Sequence, residues 1–262
     1  MLERVERGGL SLVSAPELER SAGVLVAFTG RHGRTSTGSC QGLNLSYNVG
    51  DSRRSVDANR ESVAGAIGVP PARWVLGIQV HGTAVARVGQ ADSGRGGTDH
   101  AAGLPRTDAL VTRTPRIALA VLTADCVPIL LVAPDAPAIA AVHAGWRGVL
   151  AGIPGAGARE LTRCAGGDIG GAVALIGPHI GRCCMEVGDD IASAFEREFS
   201  SEVVAGRKLD LAAACASQLE GAGISPENIH VWAECTKCSE EYFSHRRDEG
   251  CGRQGAFVSI AG

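Results

Sequence analysis

The fold is decided by residues 117–148, which have the sequence IALAVLTADCVPILLVAPDAPAIAAVHAGWRG. Three strand candidates, 117–123, 127–132 and 138–142, follow one another in this segment. The first and the third are almost continuous apolar runs, which is typical of strands that are buried on both faces. The segment therefore predicts neighbouring strands in the interior of the fold, joined by short polar connections.

The same patterns continue on both sides of this segment. Further strands are predicted at 24–29, 74–88 with an interruption at 81–82, 109–112, 173–177 and 229–233. Helical spacing predicts helices at 57–67, 148–164 with a break near Pro154, 189–199 and 209–222. Residues 91–107 are predicted to form a surface loop, and a tail rich in Cys, Glu and Arg follows residue 233. No linker or repeat divides the chain, so we expect one α/β domain over residues 1–262, with its strands covered on both faces.

The composition limits the class of protein. With 262 residues, of which 45% are apolar, the chain has enough material for a large core. Its net charge of −3 gives no reason to expect a nucleic-acid or membrane partner. No signal-peptide pattern opens the sequence, and the apolar runs are too short to span a membrane. Because the nine cysteines lack the spacing of a disulfide framework, we expect reduced thiols and a cytoplasmic protein.

Three side chains that can bind a metal end or interrupt predicted strands. His81 interrupts the strand 74–88, Cys126 lies just before the strand 127–132, and His143 follows an apolar run. Two imidazoles and a thiolate suit Zn²⁺ or copper, and three protein ligands leave one position open for chemistry. Cys126 and His143 could instead form a nucleophile–base pair without a metal. The sequence leaves both interpretations open.

Several polar residues near these positions are candidates for binding substrate. Asp125 could orient a ligand imidazole, or it could cap a strand. Arg147, at the start of a predicted helix, could hold an anion beside the metal, with amide donors from the helix start. Arg31 lies in the basic glycine loop 30–33, which lacks the spacing of a phosphate-binding loop. Arg246 belongs to an arginine pair that could clamp an anion; the alternative for each arginine is a solvated surface residue.

The remaining cysteines suggest a second, structural site. Cys235 and Cys238 have the Cys-x2-Cys spacing of a zinc site, with His245 and Cys251 as further ligands. Residues 183–184 are adjacent cysteines, so in an extended segment at most one of them would point toward a given site. We therefore expect this pair to act as small buried hydrophobes.

Four motifs together resemble the YfiH family, also called the multicopper polyphenol oxidase (laccase)-like family, which includes the peptidoglycan editing factor. These motifs are QVHGTAV at 79–85, LTADCVP at 122–128, AVHAGWRG at 141–148 and GPHIGRCC at 177–184. Weaker matches are residues 28–33, Asn44, Asn59, Arg60, Cys235, residues 243–248 and Arg253. The resemblance covers nearly the whole chain. Met185 and Gly30 depart from the family pattern, where Tyr and Thr respectively are common.

The resemblance implies a fold and a function. The fold would be a single-domain αββα sandwich of the α/β (α+β) class with mixed sheets, related to the CNF toxin deamidase and other cysteine hydrolases. The function would be a cytoplasmic purine nucleoside phosphorylase that acts on adenosine, inosine or methylthioadenosine and also deaminates adenosine. Its partners would be a purine nucleoside and phosphate, in a monomer or homodimer. Its metal would be Zn²⁺, with Cu²⁺ as the alternative.

Site residues can be assigned on the same basis. The resemblance places metal ligands and catalytic groups on His81, Cys126 and His143. For substrate binding we expect a set of polar side chains: Arg31, Asn44, Arg60, Asp125, Arg147 and Arg246.

Three rival functions stay open at this point. A metal-free cysteine hydrolase or deamidase would use Cys126 as nucleophile and His143 as base, and would have no need of His81. A copper-dependent phenol oxidase is the older description of the family, but multicopper oxidases need more histidines than the seven present here. A non-catalytic factor that edits or protects cell-wall precursors by binding them is the third.

Overall fold

The computed structural model describes residues 1–33, 35–167, 169–199 and 202–262. In chain order its strands are β1 (Glu3–Arg7), β2 (Leu10–Ser14), β3 (Val24–Thr29), β4 (Trp74–Leu76), β5 (Val85–Arg87), β6 (Ala109–Thr112), β7 (Ala118–Thr123), β8 (Val127–Ala133), β9 (Ala138–Ala144), β10 (Val173–Ile176), β11 (Val204–Ala205), β12 (Lys208–Leu209), β13 (Ile229–Val231) and β14 (Gln254–Ile260). The helices are α1 (Pro16–Ala22), α2 (Arg53–Ile67), α3 (Trp146–Leu150), α4 (Ile153–Ala165), α5 (Asp189–Glu198) and α6 (Leu211–Gly221). Single 3₁₀ turns lie at Gly38–Cys40, Pro71–Arg73, Gln90–Asp92, His100–Ala102 and Pro226–Asn228.

Two mixed sheets form the centre of the fold. Sheet I has the strand order β1-β2-β3-β14-β7-β4, and sheet II has the order β13-β10-β8-β9-β6-β5. Most neighbours are antiparallel, and the parallel pairs are β4 with β7, β5 with β6, and β10 with β13. In the described part of the chain, β11 and β12 form a separate hairpin.

The two sheets pack face to face between layers of helix. Leu119 and Val121 of sheet I share one apolar cluster with Leu130 and Val132 of sheet II. The other face of sheet I packs on α2. The other face of sheet II packs on α4, α5 and α6. These layers confirm the αββα sandwich that the sequence predicts.

The alternation of side chains along the strands explains this layering. In β8, Leu130 and Val132 face the other sheet, whereas Ile129 and Leu131 face the helices. Successive side chains of a strand point to opposite faces, so a strand inside a four-layer sandwich must be apolar at every position. This requirement is why the strands of residues 117–148 are nearly continuous apolar runs.

The chain crosses between the two sheets at two places that matter for function. The predicted strand 74–88 is two short strands, β4 in sheet I and β5 in sheet II, with an irregular crossing between them. The second crossing, residues 124–126, joins β7 of sheet I to β8 of sheet II. Gln79 in the first crossing is joined to the end of β7, just before the second crossing, because its side-chain amide both donates to and accepts from the backbone of Leu122. Both crossings therefore lie at the same end of the sandwich.

Two other predicted elements are present in outline and differ in detail. Residues 91–107 form the irregular surface segment that the sequence predicts, but it packs closely at Gly97, where a Cβ would lie 1.9 Å from a backbone oxygen. The predicted helix 148–164 breaks at residues 151–152, where Gly152 has a φ of 87°. Pro154 then lies in the first turn of α4, the helix position that tolerates proline.

Six elements were not predicted from the sequence: β1, β2, α1, β11, β12 and β14. The last of these is a central strand of sheet I, although the sequence suggested only a polar tail there. Its polar residues are buried and satisfied: Ser259 donates to the carbonyl of Ile117, and the amide of Gln254 pairs with the backbone of Phe243. Polar side chains that find such partners can occupy a strand interior. Among the described helices, none has the length and apolarity needed to cross a membrane.

Candidate metal centre

The strand register of sheet II brings the candidate ligands together. In the pairing of β8 with β9, His143 lies opposite Pro128, and Ala144 lies opposite Val127. Cys126, the residue before β8, is therefore placed beside the end of β9. His81 arrives from the first crossing, just before β5. The ligand atoms of His81, Cys126 and His143 all lie within 4.8 Å of one another.

The geometry of this trio fits a metal site. The Cys126 Sγ is 3.7 Å from the Nε2 of His81, and the two imidazole rings meet edge to face with centroids 4.9 Å apart. His143 is buried, Cys126 is partly exposed and His81 is exposed, so the trio can be reached from solvent on the His81 side. A thiolate with two imidazoles is a donor set suited to Zn²⁺ and also to copper.

A buried carboxylate, that of Asp108, organises the trio from behind. The Nδ1 of His143 lies 2.8 Å from its Oδ1, and the backbone N–H groups of Val80, His81 and Gly82 also donate to the carboxylate. With Nδ1 engaged in this way, His143 presents Nε2 to the metal position. Burial alone would raise the pKa of Asp108, but the hydrogen bonds from His143, Gly82 and Val80 hold it below its usual value.

The same carboxylate explains a strained backbone. His81 has a φ of 59°, a left-handed conformation that residues other than glycine rarely adopt. The three N–H groups that converge on Asp108 fix the backbone in this conformation. The strain is thus offset by hydrogen bonds to a buried charge, and it aims the imidazole at Cys126.

The electrostatics of the metal-free trio favour a thiolate. Burial would raise the pKa of Cys126, but the neighbouring His143 and His81 lower it to about 6. Burial would lower the pKa of His143, but Cys126 and Asp108 raise it to about 9. A deprotonated sulfur is the form that binds metals and also the form that acts as a nucleophile.

A cavity of about 380 Å³ opens onto the trio. Its apolar wall includes Tyr47, Val49, Leu76 and Leu122, and its polar wall includes residues such as His100, His245 and Arg253. The volume is within the range of small-molecule sites, roughly 300–1,000 Å³. The trio therefore lies on the wall of a cavity that can accept a small ligand.

The structure places two of the six predicted substrate residues beside the trio. Arg60 lies on the cavity wall, but its buried guanidinium donates to the carbonyls of Leu45, Gly96 and Gly97. Asp125, next to Cys126, does not orient an imidazole as the sequence suggested. Its carboxylate accepts from the Thr236 hydroxyl and the Arg246 backbone, and Asp108 takes the predicted role.

The other four do not line this cavity. Arg31 lines a different cavity, and its guanidinium packs 5.0 Å from the ring centroid of Phe243. Arg147 is exposed and stacks on Trp146. The guanidinium of Arg246 donates to the carbonyl of Glu186. The buried amide of Asn44 joins the loop around it through bonds to Ser46, Asp51 and Arg253.

No role was predicted from the sequence for Asp108 or for the cavity-wall residues Tyr47, His100 and Arg253. The signal for Asp108 was its place directly before the predicted strand 109–112, because register sets it beside the end of β9. An aspartate at that point is as readily interpreted as a strand cap. Only the pairing of β6 with β9, which the sequence does not reveal, distinguishes the two.

The Asp108→Asn substitution tests the organising role of the carboxylate. The amide keeps the shape but turns an N–H₂ toward backbone donors, so we expect the metal affinity of the trio to fall roughly 10–100-fold. Equilibrium dialysis of the folded variant against Zn²⁺ measures the change. Asp92→Asn is the matched control, because Asp92 accepts from Gly89 in a short turn. Equal affinities in the two variants would contradict the role.

The Gly145→Ala substitution tests the close packing of the trio. A Cβ on Gly145 would lie 2.5 Å from the His81 ring and 3.2 Å from the Cys126 Sγ, so we expect it to displace His81 and abolish metal binding. In Gly65→Ala the new Cβ meets no atom within 4 Å, so that control should keep its metal and gain about 0.4–1 kcal/mol of stability. Metal analysis and urea unfolding give both results; a Gly145→Ala protein with full metal content would refute the packing argument.

Comparison with known proteins identifies the family. The family model described as multi-copper polyphenol oxidoreductase laccase matches residues 25–261. A Geobacillus stearothermophilus protein named purine nucleoside phosphorylase YlmD is 39% identical over 253 residues, covering 90% of each chain. A Streptomyces coelicolor protein, also named a purine nucleoside phosphorylase, is 40% identical over 243 residues, covering 90% of this chain and 95% of the relative. The solved structure of the hypothetical protein YfiH from Bacillus licheniformis has a TM-score of 0.90 and 29% identity, covering 95% of this chain and 96% of that one. The chain therefore belongs to the YfiH family, whose model is described as multi-copper polyphenol oxidoreductase laccase.

Proposed function

We propose that this chain is a zinc-dependent purine nucleoside phosphorylase of the cytoplasm that also deaminates adenosine. The observation that carries the proposal is the trio of His81, Cys126 and His143 on the wall of a nucleoside-sized cavity. The names of the relatives support the substrate class, a purine nucleoside with phosphate. The donor set accepts copper as well, so Cu²⁺ is the alternative ion.

The walls of the cavity suggest how the nucleoside is held. Tyr47, Leu76 and Leu122 offer an aromatic ring and apolar side chains, which suit the flat faces of a purine. Tyr47 is fixed in place because its hydroxyl donates to Asp57 and Arg60 stacks on its ring at 4.3 Å. A ring held in this way can stack on the base without losing much conformational entropy on binding.

Arg253 and His245 are our candidates for holding phosphate. Both line the cavity, and the Nη1 of Arg253 is anchored to the carbonyls of Cys251 and Gly252. The rest of the guanidinium can then meet a phosphate as a preorganised donor. In phosphorolysis a phosphate oxygen bonds to C1′ while the C1′–N9 bond breaks and its electron pair leaves with the purine. The fixed cation would position the phosphate and balance its charge as the ribose becomes cationic.

The trio's own residues define what a bound metal could do. If it bound there, Zn²⁺ would supply the Lewis acidity that deamination at purine C6 requires. Asp108 holds the His143 imidazole through its Nδ1 and fixes the backbone of His81, so both residues would hold the metal on the wall of the cavity.

A second candidate function is a metal-free cysteine hydrolase. The lowered pKa of Cys126 and the raised pKa of His143 are what a thiolate–imidazolium pair would show. In that mechanism His143 would serve as the base and His81 would have no necessary role. The two functions therefore differ in their dependence on His81.

The His81→Ala substitution distinguishes the two functions. The metalloenzyme should lose bound zinc and at least roughly 100-fold of its phosphate-dependent release of hypoxanthine from inosine. His32→Ala is the matched control, because His32 is exposed and pairs with Glu241. Hypoxanthine release that survives in His81→Ala without bound zinc and without added phosphate, together with rapid alkylation of Cys126, would overturn the metalloenzyme in favour of the hydrolase.

The Arg253→Met substitution tests the phosphate site. We expect the KM for phosphate to rise about tenfold or more with little change in the KM for inosine, because one charged donor is lost. Arg163→Met, on the exposed side of α4, is the control. If Arg31→Met or Arg147→Met raises the phosphate KM and Arg253→Met does not, phosphate binds where the sequence alone suggested.

A further inference from the structure

Four cysteines meet at a second place in the fold. The predicted zinc set of Cys235 and Cys238 with His245 and Cys251 is not the grouping that forms. Cys251 is buried against Ala124 and Phe243, and Cys235 and Cys238 meet residues 183–184 instead. These two adjacent cysteines lie in a turn and not in an extended segment, so both can point the same way.

Strand pairing brings the two cysteine turns together. Strands β10 and β13 are parallel neighbours, so the chain leaves both at the same edge of sheet II. The parallel pairing continues beyond the strands. His179 and Cys235 form an isolated β-bridge, and the backbone N–H of Thr236 donates to the carbonyl of His179. The guanidinium of Arg247 donates to the carbonyls of Thr236, Lys237 and Ser239, which fixes the second turn.

The spacing of the sulfur atoms suits an ion and not a covalent bond. The Sγ of Cys238 lies 3.3 Å from that of Cys184 and 3.7 Å from that of Cys183, and all four sulfurs lie within 4.8 Å of one another. Four thiolates about 2.3 Å from a tetrahedral Zn²⁺ stand about 3.8 Å apart. A disulfide would need about 2.05 Å.

A backbone donor favours the thiolate form of Cys235, and two lysines lie close to the cluster. The N–H of Gly181 donates to the Sγ of Cys235 at 3.2 Å. The chain has two lysines, and both lie here: Lys237 within the second turn, and Lys208 with its Nζ 3.2 Å from the carbonyl of Cys183. Zn²⁺ with four thiolates carries a net charge of −2, which nearby cations stabilise.

We propose that Cys183, Cys184, Cys235 and Cys238 bind one Zn²⁺ as a structural site that joins the two turns behind the catalytic trio. Binding converts four thiols to thiolates and releases four protons, with no change of oxidation state. The site is linked to the trio through Asp125, the residue before Cys126. The N–H of Ile180 donates to the Asp125 carbonyl, and the Thr236 hydroxyl donates to its carboxylate. A metal ion in the four-cysteine site would therefore fix the positions of both turns that hydrogen-bond to Asp125.

Cobalt substitution in a Cys126→Ser chain tests the site without any assay of turnover. With the trio's thiolate gone, the four-cysteine site is the remaining cluster of metal-binding sulfurs among the described residues, so a strong sulfur-to-Co²⁺ charge-transfer absorption is assigned to it. We expect one equivalent of Co²⁺ to produce this absorption, and Zn²⁺ to displace it. Adding Cys235→Ala and Cys238→Ala should abolish it, whereas the matched pair Cys164→Ala and Cys215→Ala, two buried cysteines elsewhere, should preserve it.

Three results would overturn the proposal. They are no charge-transfer absorption in the folded Cys126→Ser chain, absorption that survives the Cys235→Ala and Cys238→Ala changes, and an intact mass two hydrogens lighter without metal, which indicates a disulfide. Should the multiple variant fail to fold, alkylation of the folded Cys126→Ser chain decides. Zn²⁺ should protect the exposed Cys183 and Cys238 from iodoacetamide, and a chelator should restore their reaction. Equal alkylation with and without Zn²⁺ would refute the site.

Discussion

The carboxylate of Asp108 is the interaction on which the rest of the site depends. Its side chain is fully buried, and an isolated buried charge would destabilise the fold by several kcal/mol. Here the charge is balanced by His143 and by three backbone N–H groups of residues 80–82. Asp108 therefore sets the tautomer of the His143 imidazole and also fixes the backbone conformation of His81. Because both ligands share the same acceptor, they are positioned relative to each other and not only to the fold.

The αββα sandwich supplies the frame for this interaction. Asp108, His143 and Cys126 lie at the ends of β6, β9 and β8, which are consecutive neighbours in sheet II. His81 and Cys126 belong to the two segments where the chain crosses from sheet I to sheet II. A crossing between packed sheets leaves the regular ladder, so its side chains can turn toward a cavity at the end of the sandwich. Residues far apart in sequence meet there because the strand register of sheet II and the two crossings place them at the same end of the sandwich.

The sequence predicts part of this arrangement, for physical reasons that differ from residue to residue. The strands of residues 117–148 were predictable because burial on both faces demands an apolar residue at every position. Strand β14 was not, because Gln254 and Ser259 are polar and only tertiary hydrogen bonds make their burial tolerable. The meeting of the four cysteines depends on the pairing of β10 with β13, a long-range contact that no local pattern encodes.

The same distinction applies to the site. Metal-binding side chains at strand ends are recognisable from residue type alone, and His81, Cys126 and His143 do converge. Arginines are recognisable as anion binders only when their neighbours are known. The guanidinium of Arg60 is occupied by backbone carbonyls, whereas Arg253 lies on the cavity wall.

A crystal of turnover-competent protein, measured with X-rays on both sides of the zinc absorption edge, tests the central claim most directly. We expect an anomalous peak bonded to the Nε2 atoms of His81 and His143 and to the Sγ of Cys126. A crystal whose dissolved protein cleaves inosine with phosphate, but which shows no metal peak among these three atoms, would contradict it.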